Sequence, residues 1–284
     1  RKTHRCQGRT SGIYRESDYR RTYTDGTANF HIVGYTGEIS DEELRDPYFQ
    51  LRGYRPGDRL GRMGTEAVFE ERLRGKDGKE LVEITSSGTI TRTLGRVEEI
   101  PGEDIQLSID HGLATSAQLS FPPEGKGAII VTRPKTGEIL ALYSSPSLDT
   151  NIFTQSISQD NYSVLIESPD QPMFNRGIGG VYPPGSTFKI VTAIAALEEG
   201  AITGKTIIED VGVLTIGPYT FPNWYFLKYG KTDALVDVVK ALERSNDIFF
   251  YKAGEAVGIT KLGLWAKRLG LGSTLGIELP GEAI

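Results

Sequence analysis

Residues 181–200 read VYPPGSTFKIVTAIAALEEG, and this stretch restricts the fold more than any other. Pro183 and Pro184 fix two φ angles and remove two amide donors, so with Gly185 they form a turn that cannot be helix interior. Directly behind it, Ile190, Ala193, Ile194 and Leu197 fall at i, i+3, i+4 and i+7, which predicts a helix with that set as its apolar face. Gly200 stands where a helix-ending glycine is expected. Ser186 and Lys189 share one side of the first turn, an amine beside a hydroxyl at the positive end of a helix dipole. A serine hydroxyl becomes nucleophilic when a neighbouring base takes its proton, and a lysine is that base once its surroundings favour the neutral amine. The pair is therefore a candidate for acyl transfer through serine.

Ser-x-x-Lys alone is a loose pattern, expected by chance about once in a few hundred residues. A serine near a helix start followed by a solvated lysine is its ordinary explanation. Gly180 to Thr187 also fits the frame of a phosphate loop, but Ser186 stands where that motif needs lysine and the prolines lack amides to cradle a phosphate. Nucleotide binding is excluded.

Composition narrows the remaining classes. The chain has 284 residues, 38% hydrophobic and 24% charged, enough for two domains with real cores. A net charge of −5 argues against a nucleic-acid partner, although residues 1–21 carry a local charge of +5. Cys6 is the single cysteine, so no intrachain disulfide can form, and His4, His31 and His111 lie far apart in sequence. No metal or cofactor is expected. No apolar run is long enough to cross a membrane as a helix. The chain does not open on Met and stops at LPGEAI, so both ends read as cut.

Residues 1–120 read as strand-rich. Apolar 29–37 predicts a strand, 41–51 a short polar helix or loop, and 64–73 an amphipathic helix with Thr65 as N-cap and Val68, Phe69 and Leu73 on one side. Lys76-Asp77-Gly78-Lys79 is a hairpin-turn signal, followed by strands over 80–85 and 89–94 and another over 102–108. A boundary falls in the Pro- and Gly-rich segment 120–127. Two apolar strands flanking Lys135-Thr136-Gly137 then predict a hairpin, residues 149–171 look irregular, and 206–224 is turn-rich with two short apolar runs. Helices are expected over 233–242 and 259–269, on either side of RSNDIFFYKAGEAVG.

At this point the chain resembles the transpeptidase domain of class B penicillin-binding proteins, and within them the elongation-type penicillin-binding protein 2 subgroup. Ser186-Thr187-Phe188-Lys189 is similar to the first family motif and Ser245-Asn246-Asp247 to the second, in its Ser-x-Asp form. MFNRGIGGVYPPGSTFK, FPNW at 221–224 and LGLGSTLGIELPGE are similar to the same subgroup. GYTGEIS, GRMGTEAVFEERLRGKDG and PGEDIQLSID resemble its pedestal domain, so the likeness covers nearly the whole chain. It implies an α+β fold: a strand-rich pedestal or dimerisation-type domain over 1–120, then over 121–284 the N-terminal part of a serine β-lactamase-like transpeptidase domain.

The resemblance also implies roles. Ser186 would be the nucleophile, Lys189 its base, Ser245 a bridge relaying a proton to the leaving-group nitrogen, and Asp247 an acceptor holding the lysine or orienting substrate. Ser245 Oγ and Lys189 Nζ are then expected within or close to hydrogen-bond reach of Ser186 Oγ. Asn246 is expected to point away. Lys135-Thr136-Gly137 spells the third family motif but precedes the nucleophile, in a turn, so Lys135 receives no catalytic role. No Lys-Thr-Gly follows the second motif, and residues 1–284 alone are expected to be inactive. The implied activity is D,D-transpeptidation of peptidoglycan stem peptides ending in D-Ala-D-Ala, with β-lactams as covalent inhibitors. The implied setting is the extracytoplasmic face of a bacterial membrane, with an N-terminal anchor outside this chain and a membrane glycosyltransferase and other elongation proteins as partners. Two alternatives stand beside it: a class D-like serine β-lactamase, disfavoured by the pedestal-like segment, and a non-catalytic penicillin-binding or scaffold module.

Overall fold

The computed structural model describes residues 2–4, 17–86, 89–155 and 157–283. By contact the chain divides into Arg1–Gly180 with Ile277–Ala283, and Val181–Gly276. The first unit opens with β1 (Lys2–His4) antiparallel to β2 (Ser17–Tyr19). The apolar 29–37 stretch is not one strand: it forms a single helical turn, α1 (Phe30–Val33), and only then β3 (Thr36–Glu38). Burying Phe30, His31 and Ile32 together decides this, and Phe30 packs beside Tyr35 and Phe153, whose rings stack on each other at 4.0 Å. The turn is sharp at Gly34, whose φ is 73° and where a Cβ would sit 1.7 Å from the Met63 carbonyl oxygen.

A 3-10 turn (Glu43–Arg45) and α2 (Pro47–Leu51) follow, the latter capped by the Asp46 carboxylate, which accepts from the Tyr48 amide at 2.8 Å. β4 (Arg59–Gly61) pairs with β3. The expected helix over 64–73 is two short ones, α3 (Gly64–Val68) and α4 (Glu70–Arg74), interrupted at Phe69. Thr65 is no N-cap; its hydroxyl donates to the Ile32 carbonyl at 2.8 Å. The Glu70 carboxylate accepts from the Gly61 amide and the Tyr54 hydroxyl, both at 2.7 Å, which ties α4 to β4 at its own angle.

β5 (Lys79–Ile84) and β6 (Ile90–Val97) form the expected hairpin, but residues 76–79 are not its turn. They lead into it, with Lys76 bridged to Ile100, and the reversal lies between Thr85 and Thr89. Residues 102–108 form no strand. There the Glu103 amide donates to the Arg72 carbonyl at 2.8 Å, and a Cβ on Gly102 would lie 2.0 Å from the Leu73 oxygen. α5 (His111–Ser120) gave no apolar signal because it buries only Ala114 and Ala117; Asp110 caps it through the Leu113 amide at 2.9 Å. β7 (Gly127–Thr132) and β8 (Ile139–Ser145) make the expected hairpin, with Lys135 and Thr136 in its turn and Gly137 at φ 78°. α6 (Gln159–Glu167) arises in the polar stretch, capped by Ser158, and packs Tyr162 and Leu165 near Phe30.

His31 is buried in this unit, and its Nε2 lies 2.9 Å from the Pro172 carbonyl. Burial pushes its pKa down to about 4, aided by the Arg176 charge and opposed by the bond to Pro172. The fold thus holds the neutral ring, so the stabilisation is complete above the ordinary pKa near 6.5 and is lost as pH falls from there through 4. The full loss amounts to about 3 kcal/mol. Thermal unfolding from pH 7.5 to 4 should therefore show a wild-type loss that His31→Gln does not share; parallel curves would refute it.

The second unit begins with a 3-10 turn (Gly185–Thr187) that passes into α7 (Phe188–Glu198). Its buried face differs from the expected one. Ile190 is 58% exposed and Leu197 is exposed too, whereas Val191, Thr192, Ala193, Ala195 and Ala196 are buried. Small residues win because neighbouring helices approach closely there. β9 (Ile208–Asp210), the β10 (Val213–Ile216)–β11 (Tyr219–Pro222) hairpin and α8 (Trp224–Tyr229) come next. The helix expected over 233–242 is a short strand, β12 (Ala234–Val236), paired with β9, then α9 (Val238–Arg244). Asp237 sets that break by capping α9 through the Lys240 amide at 2.8 Å. α10 (Asp247–Val257) and α11 (Ile259–Arg268) complete the unit. Its core joins Ala193, Ala195 and Ala196 to Val236, Ala241, Phe249, Phe250 and Ala253, with α10 against α7.

Candidate active site

Ser186 sits in the 3-10 turn that the two prolines and Gly185 (φ 54°) set up, with its side chain exposed. Lys189 is one turn on, where α7 brings its amine to the same side. Ser245 and Asp247 arrive from the junction of α9 and α10. Ser245 ends α9 in the left-handed conformation, φ 51° and ψ 43°, and Asn246 caps α10 by accepting from the Phe249 amide at 2.9 Å. A left-handed serine costs on the order of 1–2 kcal/mol, so the junction has to hold it there. In return the break between the two helices presents Ser245 and Asp247 together on Lys189.

The four side chains expected at the site meet. Lys189 Nζ donates to Ser245 Oγ at 3.0 Å, to the Ser245 carbonyl at 2.7 Å and to Asp247 Oδ1 at 2.5 Å. Ser245 Oγ in turn donates to Ser186 Oγ at 3.0 Å. The chain of contacts is thus Lys189–Ser245–Ser186; among the described residues the amine makes no direct bond to Ser186 Oγ. Three acceptors match the three N–H bonds of an ammonium group. As the bonds stand, Ser245 Oγ donates towards Ser186, so a proton could travel from Ser186 to the amine along this path only after both hydroxyls turn. The Lys189 and Asp247 side chains are only 13% and 19% exposed, so water screens the pair weakly. The face of Phe250 lies 5.9 Å from Nζ on another side.

Asp247 is itself aimed. Its Oδ2 accepts from the Trp224 amide at 2.9 Å, while the Trp224 indole donates to the Arg244 carbonyl at 2.9 Å. Asn246 points away from Ser186 into a fully buried position, where it meets Asp210 and Asp233. Asn223, also fully buried, donates to Asp210 at 2.8 Å. These last partners were not legible as functional. FPNW stood out only as a stretch, and Asp210 lies in a short strand with no motif around it. Lys135 is in the β7–β8 turn, in the other unit, with no part in this cluster. Among the described residues no group of His, Cys, Asp and Glu is arranged to hold a metal ion, and no helix is long and apolar enough to cross a membrane.

Known proteins match this chain along its length. Residues 127–284 match the model of the penicillin binding protein transpeptidase domain, and residues 2–107 that of the penicillin-binding protein dimerisation domain. The peptidoglycan D,D-transpeptidase MrdA of Acinetobacter baumannii is 36% identical over 274 residues, covering 96% of this chain and 40% of the relative. MrdA of Escherichia coli is 35% identical over 280 residues, covering 97% and 43%. The chain therefore spans about two-fifths of the length of these curated relatives. Among solved structures, the penicillin-binding protein PBP2 of Helicobacter pylori, in its complex with MreC, superposes with a TM-score of 0.82 at 29% identity, covering 97% of this chain and 50% of that one. PBP2 of Pseudomonas aeruginosa with WCK 5153 gives 0.73 at 32%, covering 98% and 55%. Motifs, fold and matched domains agree, and the chain belongs to the penicillin-binding protein transpeptidase family.

Proposed function

We propose that this chain carries the acylating half of a D,D-transpeptidase that cross-links peptidoglycan stem peptides. The observation that carries the reading is the unbroken hydrogen-bonded path from Lys189 through Ser245 to Ser186, 3.0 Å at each step. Ser186 Oγ attacks the carbonyl carbon of the penultimate D-Ala as its proton passes along Ser245 to the Lys189 side chain in its neutral amine form. The C–N bond to the terminal D-Ala breaks, and the departing nitrogen takes a proton back along Ser245. The acyl group then passes from Ser186 to the amine of a neighbouring stem peptide. A β-lactam carbonyl meets the same hydroxyl, but its amine stays tethered, and the enzyme remains acylated. Asp247 holds Lys189 in line throughout, and the Ser186 amide, in a first helical turn, is a candidate oxyanion donor.

The dimerisation-domain match over residues 2–107 supports a pedestal ending before residue 121 and weighs against a free-standing β-lactamase. The complexes named for the relatives, one with MreC and one a peptidoglycan synthase complex, favour partners of cell-wall elongation, a glycosyltransferase among them, on the extracytoplasmic side of the membrane. The test is chemical: the intact protein, incubated with a penicillin and digested, should give one acylated peptide with the adduct on Ser186. An adduct on any other residue, or none, would refute the assignment.

A further inference from the structure

Behind the Ser245–Asp247 motif lies a buried carboxylate that the acyl-transfer steps never use. Asp210, 3% exposed at the end of β9, receives four hydrogen bonds. Its Oδ1 accepts from the Gly212 amide at 2.9 Å. Its Oδ2 accepts from the Asp233 amide at 2.8 Å, Asn223 Nδ2 at 2.8 Å and Asn246 Nδ2 at 2.9 Å. Burial alone would push its carboxyl up, but the Asp233 and Gly212 amides and the two asparagines outweigh that and hold it below the usual range. Asp210 is thus an anion with every donor aimed at it.

Each side-chain donor leads to the motif. Asn246 stands between Ser245 and Asp247; with Nδ2 held by Asp210 and by Asp233 Oδ2 at 3.1 Å, its Oδ1 is turned onto the Phe249 amide to start α10. Asn223 uses its other end, Oδ1, to accept from the Asp247 amide at 3.3 Å. The next residue, Trp224, gives its amide to Asp247 Oδ2. Asp233 is braced by Arg244, the last residue of α9, at 3.1 Å. Both sides of the left-handed Ser245 are therefore anchored to one network, which is what a strained residue requires to persist.

We propose that Asp210 is the positioning residue of the second motif: through Asn246 and Asn223 it holds Ser245 in its left-handed conformation and Asp247 on Lys189, so that it sets the rate of acylation without touching substrate. The inference rests on the acyl-transfer reading of Ser186. Asp210→Asn keeps the shape, but removes the charge that strengthens four bonds and points an amide N–H₂ at donors. Displacements of an ångström or less at the relay cost rate far more than affinity, so the acylation rate constant should fall about 10- to 100-fold while the non-covalent dissociation constant for the same penicillin holds.

The control for lost stability is Val257→Ala, a buried core truncation at the far end of α10, about 16 Å along the helix from Asn246. Both variants of the intact protein are assayed by stopped-flow labelling and by thermal unfolding, at temperatures equally far below each Tm. The proposal predicts a slow Asp210→Asn beside a Val257→Ala that labels at the wild-type rate. Equal rates in the two variants would overturn it, as would a weakened dissociation constant with an unchanged rate constant. A wild-type protein that never labels would overturn the acyl-transfer reading, and this inference with it. Should Asp210→Asn not fold, Asn223→Ser, which keeps a hydroxyl but cannot span Asp210 and the Asp247 amide together, must show the same slow acylation; wild-type kinetics there would overturn the proposal.

Discussion

Ser186→Ala in the intact protein is expected to abolish covalent labelling by a fluorescent penicillin, while Lys135→Ala labels as wild type does. The expectation follows from where each residue stands. Ser186 Oγ is the exposed terminus of the Lys189–Ser245 path, and no other hydroxyl in it faces outward in the same way. Removing it leaves no nucleophile to form the ester, so the loss should be complete rather than partial. The fold should not suffer. The side chain is exposed, and Ser245 Oγ, left without its acceptor, can turn to water at modest cost. Unfolding curves of Ser186→Ala and wild type should coincide, which separates lost chemistry from lost structure. Lys135 spells the third motif with Thr136 and Gly137, but it occupies an exposed hairpin turn in the other unit. Residual labelling of Ser186→Ala, or equal loss in Lys135→Ala, would mean that the nucleophile or the turn has been misassigned.

Phe249→Ala should destabilise the second unit more than any substitution at the site itself. Phe249 is fully buried on α10, two residues after Asp247, against Phe250 at a centroid distance of 5.4 Å and within the core shared with α7 and α9. Deleting a buried phenyl ring removes its transfer free energy and leaves a cavity that rigid helices fill poorly, together about 3–5 kcal/mol. For a cooperative unit of this size the midpoint should fall by more than about 10 °C. Labelling should be lost at the same temperatures, because α10 carries Asp247 and is capped by Asn246. A shift of only a degree or two would show that the core repacks around the gap. Labelling that survives the unfolding transition would show that the motif does not depend on α10.

The places where the sequence misled share one cause. Periodicity marked Ile190 and Leu197 as the buried face of α7, yet the helix turns its alanines inward, since Ala195 and Ala196 admit the neighbouring backbones. A large apolar side chain outweighs a small one in any periodicity count, although contact geometry favours the small one. Residues 29–37 looked like a strand because β-prone residues crowd there, but sharing one buried turn among Phe30, His31 and Ile32 overrode propensity. α5 and α6 passed unnoticed because they bury little. The β7–β8 hairpin and α11 were legible, since local turn chemistry and strong periodicity specify them with no distant partner.

The sequence alone determined which residues could do chemistry. Pro183-Pro184-Gly185 sets a turn behind which a helix must start, helical spacing puts Lys189 on the side of Ser186, and Ser245-Asn246-Asp247 supplies the second set; these are local constraints readable within a few residues. Only the tertiary structure decided how they connect. It routes the Lys189 amine to Ser186 through Ser245 over a sequence separation of 56 residues, and it gives Asn246, expected to point away, a buried network with Asp210 and Asn223 to enter. Nothing near Asp210 in the chain announces that role. Hydrogen-bond partners brought together from four separate segments acquire their meaning only when burial excludes water and leaves each donor one acceptor to find.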